Sequence, residues 1–310
     1  MDVRFIPAAR PATAWLPQPT PNLQARATLP MGDSFVRFGN RSDDDEAMGK
    51  RLHQAVQADD LDAVERLLPD RGTSNPPPWL EAKNGTGATP LMAAALLGSA
   101  PLVERLLQAG SSVSTRDDYG NTALMYASSE GHSKAARLLL QAKANPQARN
   151  RVGETALKMA AQAGSAKVIR LLGKAGVAVK TERFSEDTTP LMLAAQSGSA
   201  QAVRDLVRLG CDVNAKSTWQ ETPLMYAARG NSPDVVRVLL KAGADVRAKN
   251  LLQGETPLYI AALRGSAEAV QVLLEDEGQA NRQKEGVDAA LRIATKTGHA
   301  ELVGILLPHA

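Results

Sequence analysis

The chain has 310 residues, 44% hydrophobic and only 4% aromatic, with 36 Lys and Arg against 33 Asp and Glu for a net charge of +3. The two signs are mixed along most of the sequence, which argues against the concentrated basic face of a dedicated nucleic-acid binder, and the shortage of aromatics argues against a large aromatic-lined cavity. A single cysteine, Cys211, excludes an internal disulfide and fits a reducing compartment, so the cytoplasm is the expected location. No apolar run is long enough to span a bilayer, and the first residues lack the apolar stretch of a secretory signal.

Residues 1–45 read as a largely disordered N-terminal segment. Prolines at 7, 11, 17, 19, 21 and 30 forbid a continuous helix, and the apolar residues Phe5, Trp15, Leu23 and Phe35 follow no period. The stretch between Asp2 and Asp33 has no acidic residue, a trait shared with targeting and secretion leaders. It leaves open an alternative in which the chain is an exported bacterial effector that engages a host protein. The cluster Asp43-Asp44-Asp45-Glu46 suits the start of a helix, where the dipole favours negative charge.

From Lys50 onward the sequence repeats itself. Thr89-Pro90-Leu91-Met92 recurs as Thr122-Ala123-Leu124-Met125, Thr155-Ala156-Leu157-Lys158, Thr189-Pro190-Leu191-Met192, Thr222-Pro223-Leu224-Met225, Thr256-Pro257-Leu258-Tyr259 and Ala289-Ala290-Leu291-Arg292, at a spacing of 33 or 34 residues. A fixed period of this length means one structural unit copied along a line. In the unit that starts at Thr222, the threonine hydroxyl suits an N-cap and Pro223 suits the first helical position. Leu224, Ala227 and Ala228 give a short apolar face. Asn231 then stands where six other units carry glycine, from Gly98 to Gly298, a pattern that selects a left-handed backbone. A second helix follows from about Pro233 to Lys241, with Val235, Val236, Leu239 and Leu240 inward, and Gly243 ends it. A polar turn leads into the next Thr-Pro-Leu.

The Thr-Pro-Leu opening, the Ala-Ala pair, the glycine before the second helix, the Leu-Leu pair and Gly243-Ala244-Asp245-Val246 resemble the ankyrin repeat in detail, over roughly Lys50 to Leu307. The resemblance implies an all-α solenoid of about eight helix-turn-helix units with projecting turns. These are an N-terminal capping unit over 46–88, six full repeats over 89–288 and a C-terminal capping unit over 289–310. It departs in one respect: the histidine that the family places after Thr-Pro-Leu is Met92, Met125, Lys158, Met192, Met225, Tyr259 or Arg292 here. The ties between neighbouring turns that this histidine makes must be weaker or replaced. Lys143 stands where a helix-ending glycine is expected, and the first loop carries an insertion around Pro76-Pro77-Pro78-Trp79.

The resemblance also implies a non-enzymatic scaffold or adaptor that binds a protein partner on the concave face, where positions not dictated by the fold carry specificity. In the turns these are Asp118, Tyr119 and Asn121, then Arg151, Val152 and Glu154, then Ser185 and Glu186, then Thr218, Trp219 and Glu221, and Gln253 with Glu255. On the first helices they are Glu130, Gln162, Gln196, Arg229 and Arg264. Tyr119 and Trp219 stand out, since interface hot spots are rich in Tyr, Trp and Arg. Arg137, Arg170, Arg204 and Arg237 occupy one place in four consecutive second helices. This ladder supports a further alternative, a binder of acidic lipid or nucleic acid, although membranes and nucleic acid are not the expected partners. The last unit keeps an apolar second helix, which points to self-association. Neither Cys211 nor the four histidines fall into a metal or nucleophile spacing, so no catalytic residue, metal, cofactor or small-molecule substrate is expected.

Overall fold

The computed structural model describes residues 41–68, 76–180, 182–275 and 284–310. Residues 1–40, which hold nearly all of the proline-rich segment and its leader-like composition, lie outside the described residues. The structure is a stack of helical pairs: α1 (Arg41–Gln57) with α2 (Leu61–Leu67), α3 (Pro90–Leu97) with α4 (Ala100–Gln108), α5 (Ala123–Ser129) with α6 (Ser133–Gln141), and α7 (Ala156–Gln162) with α8 (Ala166–Lys174). It continues with α9 (Pro190–Gln196) and α10 (Ala200–Arg208), α11 (Pro223–Arg229) and α12 (Pro233–Lys241), α13 (Pro257–Leu263) and α14 (Ala267–Leu274), and α15 (Lys284–Thr297) and α16 (Ala300–Leu306). Each first helix packs on the first helices before and after it, and each second helix on its neighbouring second helices, so two parallel layers run the length of the chain. The opening helix α1 begins at Arg41, inside the stretch assigned from its prolines to the N-terminal segment.

The core is one unbroken seam rather than a central cluster. Leu91, Leu124, Leu157, Leu191, Leu224 and Leu258 line the first helices, and Leu106, Leu139, Leu172, Leu206, Leu239 and Leu273 line the second, all buried. Alanine pairs such as Ala94-Ala95 and Ala227-Ala228 are fully buried and let adjacent first helices approach closely. Met92, Met125, Met192 and Met225 have at most 2% of their surface exposed. They are core residues between successive first helices, not an open binding stripe. Two of them also close the start of their own helix: the backbone N–H groups of Thr89 and Thr189 donate to the Sδ atoms of Met92 and Met192 at 3.5 and 3.4 Å, a tie within the unit and not between neighbouring turns. Sulfur is a weak acceptor, so these ties are weaker than those of an imidazole.

The threonine caps form as expected in five units, where Thr89, Thr122, Thr155, Thr189 and Thr256 accept the N–H of the third helical residue. Thr222 is a correction to the expectation. Its hydroxyl makes no capping bond and has no hydrogen-bond partner, while the Met225 N–H donates to the Thr222 carbonyl at 3.0 Å, as the Met125 N–H also does to the Thr122 carbonyl. The left-handed position between the helices is confirmed at Asn231, with φ 47°, and the irregular helix end at Lys143 takes φ 67°. At Gly98 the next unit enforces the choice, since a Cβ there would lie 2.4 Å from the ring of His132. That ring is held in place by a 3.0 Å contact from Nε2 to the Leu96 carbonyl.

The first loop's insertion is docked, not free. Residues Pro78–Glu81 form a 3-10 turn that buries Leu80 completely. The Glu81 carboxylate accepts the Ser112 N–H and the Thr115 hydroxyl, both at 2.8 Å, tying the insertion to the following unit. His53 of α1 meets the Ala82 carbonyl at 2.8 Å through Nε2, so that nitrogen carries the proton and donates.

Three expected outcomes follow from these observations. Lys143→Gly should raise stability by about 0.5–1 kcal/mol in urea unfolding, because glycine relieves a left-handed lysine at some entropic cost. Gly98→Ala should lower it by roughly 2 kcal/mol or more, since strain adds to the clash with His132. Burial pushes the pKa of His53 below its ordinary value of 6.5, with the Ala82 bond opposing the shift. As pH falls through about 6.5 the unfolded chain takes the proton first, so stability is full above that pH and declines below it. A His53→Gln variant should lose this component of the decline between about pH 7 and 5, read as the difference from wild type in thermal unfolding.

Candidate functional site

In five of the six projecting turns one short polar side chain organises the turn, and in the sixth that place is held by Phe184. Asn84, Asp117, Asn150 and Asn250 each fold their oxygen back on two N–H groups further along the turn, the geometry of an Asx turn. Ser217 does the same once, for Glu221. These residues recur at the repeat period, so their role was legible in the sequence although the repeat's helical landmarks overshadow it. Asp117 carries the largest load: it accepts from Tyr119 N, Asn121 N, the Asn121 amide and the Tyr126 hydroxyl, the last at 2.6 Å. Burial, and after it the Asp117 carboxylate, drive the Tyr126 pKa upward, so this phenol stays a donor.

Neighbouring turns are tied edge to edge. Single backbone bonds run from Asp118 N to Thr86 O at 3.2 Å, from Arg151 N to Tyr119 O at 2.9 Å and from Leu251 N to Trp219 O at 2.9 Å. A cation precedes the turn-forming residue in every unit, from Lys83, Arg116 and Arg149 to Lys249. Lys83 and Arg116 donate to the carbonyls of Arg116 and Arg149, one turn further on. These ties join the turns on either side of the Ser185–Asp187 turn, which is linked by the side-chain bonds of Arg149 to Glu182 and Thr218 to Asp187. The recurring cation is visible in the sequence, but the carbonyl it reaches is not.

The edge ends in apolar tips. Tyr119 is 51% exposed, Val152 77%, Trp219 45%, Leu251 67% and Leu252 42%, on four turns of the row, with the Ser185–Asp187 turn between Val152 and Trp219. Leu251 and Leu252 were not among the expected site residues. Of those that were, Asp118, Glu130, Arg151, Gln253 and Arg264 are exposed along the same side, and Gln162 and Gln196 are half-buried on the first helices. Others are already engaged within the chain. Asn121 accepts from the Asn150 amide, Glu154 pairs with Lys158 at 2.9 Å, and Glu255 accepts from Asn250. Glu221 is buried and its carboxylate is held by Arg229, which also stacks over the Tyr226 ring. Glu186 lies in the short 3-10 turn Ser185–Asp187, and its side chain is outside the described residues.

The opposite side of the molecule is made of the second helices. Arg137, Arg170, Arg204 and Arg237 are all exposed there, with Arg170 paired to Asp205, Arg204 to Gln201 and Arg237 to Asp234. Cys211 is buried and faces the Val179 carbonyl, and burial pushes its thiol up to about 11, so it is a packing residue and not a nucleophile at neutral pH. Among the described residues no group of three His, Cys, Asp or Glu side chains is placed to hold a metal ion, and no helix is long and apolar enough to cross a membrane.

The family model for ankyrin repeats in three copies matches residues 52–150, 142–217, 180–250 and 224–310. The chain belongs to the ankyrin repeat family. Its helical solenoid is similar to the human ASB11 ankyrin repeat domain, at 25% identity and a TM-score of 0.62 over 72% of this chain and 96% of that one. It is similar also to the ankyrin repeat domain of Bcl-3, a unique member of the IkappaB protein family, at 28% identity and a TM-score of 0.55 over 72% of this chain and 97% of that one. The comparison with curated protein sequences gave no match. Ankyrin repeats are protein-interaction modules, and this one presents its tips on a single tied edge.

The turn bonds give a direct contrast. Asp117→Ala should cost about 2–3 kcal/mol, leaving buried donors without an acceptor. Asp118→Ala, one residue away and exposed, should stay within about 0.5 kcal/mol. Thermal unfolding of the two variants checks both.

Proposed function

We propose that this ankyrin repeat protein is a non-enzymatic scaffold or adaptor, and that it holds a protein partner along its turn tips and the exposed side of its first helices. The observation that carries the reading is the set of exposed Tyr119, Val152, Trp219, Leu251 and Leu252 on four of the projecting turns, interrupted at the Ser185–Asp187 turn. Large apolar and aromatic side chains in water have no packing reason to be there, and tied turns hold them at low entropic cost, which is how hot spots are built. Around them Asp118, Arg151, Gln253 and Arg264 supply a polar rim of both signs. Of the acids along this edge, Asp117, Glu154, Glu221 and Glu255 are engaged in turn or ion-pair geometry, which leaves the exposed Asp118, Arg151 and Arg264 to meet a partner.

Tyr119→Ala/Trp219→Ala should change stability by less than about 1 kcal/mol while weakening partner binding by roughly 100-fold or more. Affinity capture from the source cell with wild type and variant, followed by mass spectrometry and a titration of the recovered protein, checks this. Recovery of the same partner at the same affinity by both would move the site off the turns.

A further inference from the structure

Positive and negative side chains alternate freely along this sequence, yet the fold sorts them. On each second helix, positions i, i+3 and i+7 share the outward face. On α8 these are Lys167, Arg170 and Lys174. The same three positions add two cations on α6, two on α10 and two on α12, and all twelve side chains are exposed. Only Asp234, on this face, and the buried Asp205, which holds Arg170, oppose them. Nine cations against two carboxylates leave a surplus of seven on four helices that pack side by side.

The patch is bounded by the opposite sign. The outward positions of α2 and α4 carry Asp62, Glu65 and Glu104, with the exposed Arg66 beside Glu65, and those of α14 and α16, with the residue that ends α14, carry Glu268, Glu275 and Glu301, all exposed. The face therefore reads acidic, basic, acidic along the rod. Its basic centre measures roughly 30 Å by 10 Å, from about 10 Å between helices and 1.5 Å per residue.

We infer that this outer face is a docking surface for an anionic lipid bilayer, separate from the protein-binding edge. Three observations favour lipid over nucleic acid. The charges form a two-dimensional grid, which matches a sheet of headgroups better than a single backbone. The grid has no aromatic side chain to stack on an unpaired base, and its helices lie in a layer, with none standing out to enter a groove. The acidic ends would lie against a polyanion that followed the rod, whereas a bilayer can be met by the basic centre alone. Leu209, 39% exposed beside Arg208, adds an apolar side chain at the same level. The proposal takes up the acidic-lipid alternative that the arginine ladder offered, against the expectation that membranes are not a partner.

The test is sedimentation of the full chain with phosphatidylcholine vesicles, with and without about one third phosphatidylserine, and in a parallel arm binding to a short DNA duplex. At low salt the protein should sediment with the phosphatidylserine vesicles and not with phosphatidylcholine alone, and binding should fall steeply as salt rises. Arg137→Gln/Arg204→Gln/Arg237→Gln should weaken vesicle binding by roughly 100-fold, at about fivefold per charge. Arg51→Gln/Arg247→Gln/Lys296→Gln removes the same charge elsewhere and should leave it within about threefold of wild type. The proposal is overturned if wild type ignores phosphatidylserine, if the two triple variants lose binding equally, or if the duplex is bound and the vesicles are not. A circular dichroism melt on each variant ensures that a loss of binding is not a loss of fold.

Discussion

Burial between neighbouring units is the interaction on which this molecule depends. Its second helices run seven to nine residues and its first helices are mostly as short, well below the roughly 12–15 residues at which an isolated helix holds in water. No unit can hide its own apolar face. Leu172, for example, is fully buried only because α6 and α10 lie on either side of α8. Each buried leucine contributes about 1.5–3 kcal/mol of transfer free energy, and nearly all of it is shared across a boundary between units. The capping hydroxyls, left-handed turns and glycine stops add smaller amounts, and what they chiefly do is set the angle at which the next unit arrives.

The same constraint explains what was legible in the sequence. Residues that meet the neighbouring unit must repeat, so the Thr-Pro-Leu openings, the alanine pairs and the left-handed position at Asn231 could be read from one period to the next. The projecting turns were legible as turns, and Tyr119 and Trp219 as residues no packing rule demands. What escaped was relational. That Glu221 would be buried under Arg229, eight residues on, depends on how the turn folds back over the helix. That Thr222 would forgo its capping bond has no counterpart in the sequence, since Thr122 keeps its cap with the same carbonyl bond present. Leu251 and Leu252 were hidden because the turn there is one residue longer than its counterparts, which shifts them out of phase with the other tips.

Charge shows the limit of a linear reading most clearly. A net charge of +3 spread over mixed signs describes the chain, not its surfaces. Folding places a cation from nearly every outward position of α6 to α12 on one face and a polar rim of both signs on the other. The tied turns and the second-helix layer share no surface residues, so the two faces can be altered independently. A solenoid allows this because its stability resides in the seam between layers, leaving both exteriors free to specialise.

The most direct measurement of the central claim, that every unit stands on its neighbours, is native-state hydrogen exchange resolved by helix. The account expects the slowest backbone exchange in α7 to α12, which are covered on both sides, with protection falling stepwise toward α1 and α2 at one end and α15 and α16 at the other. Equal protection from end to end, or terminal helices that outlast the central ones, would mean that the units are stable on their own terms and would contradict it.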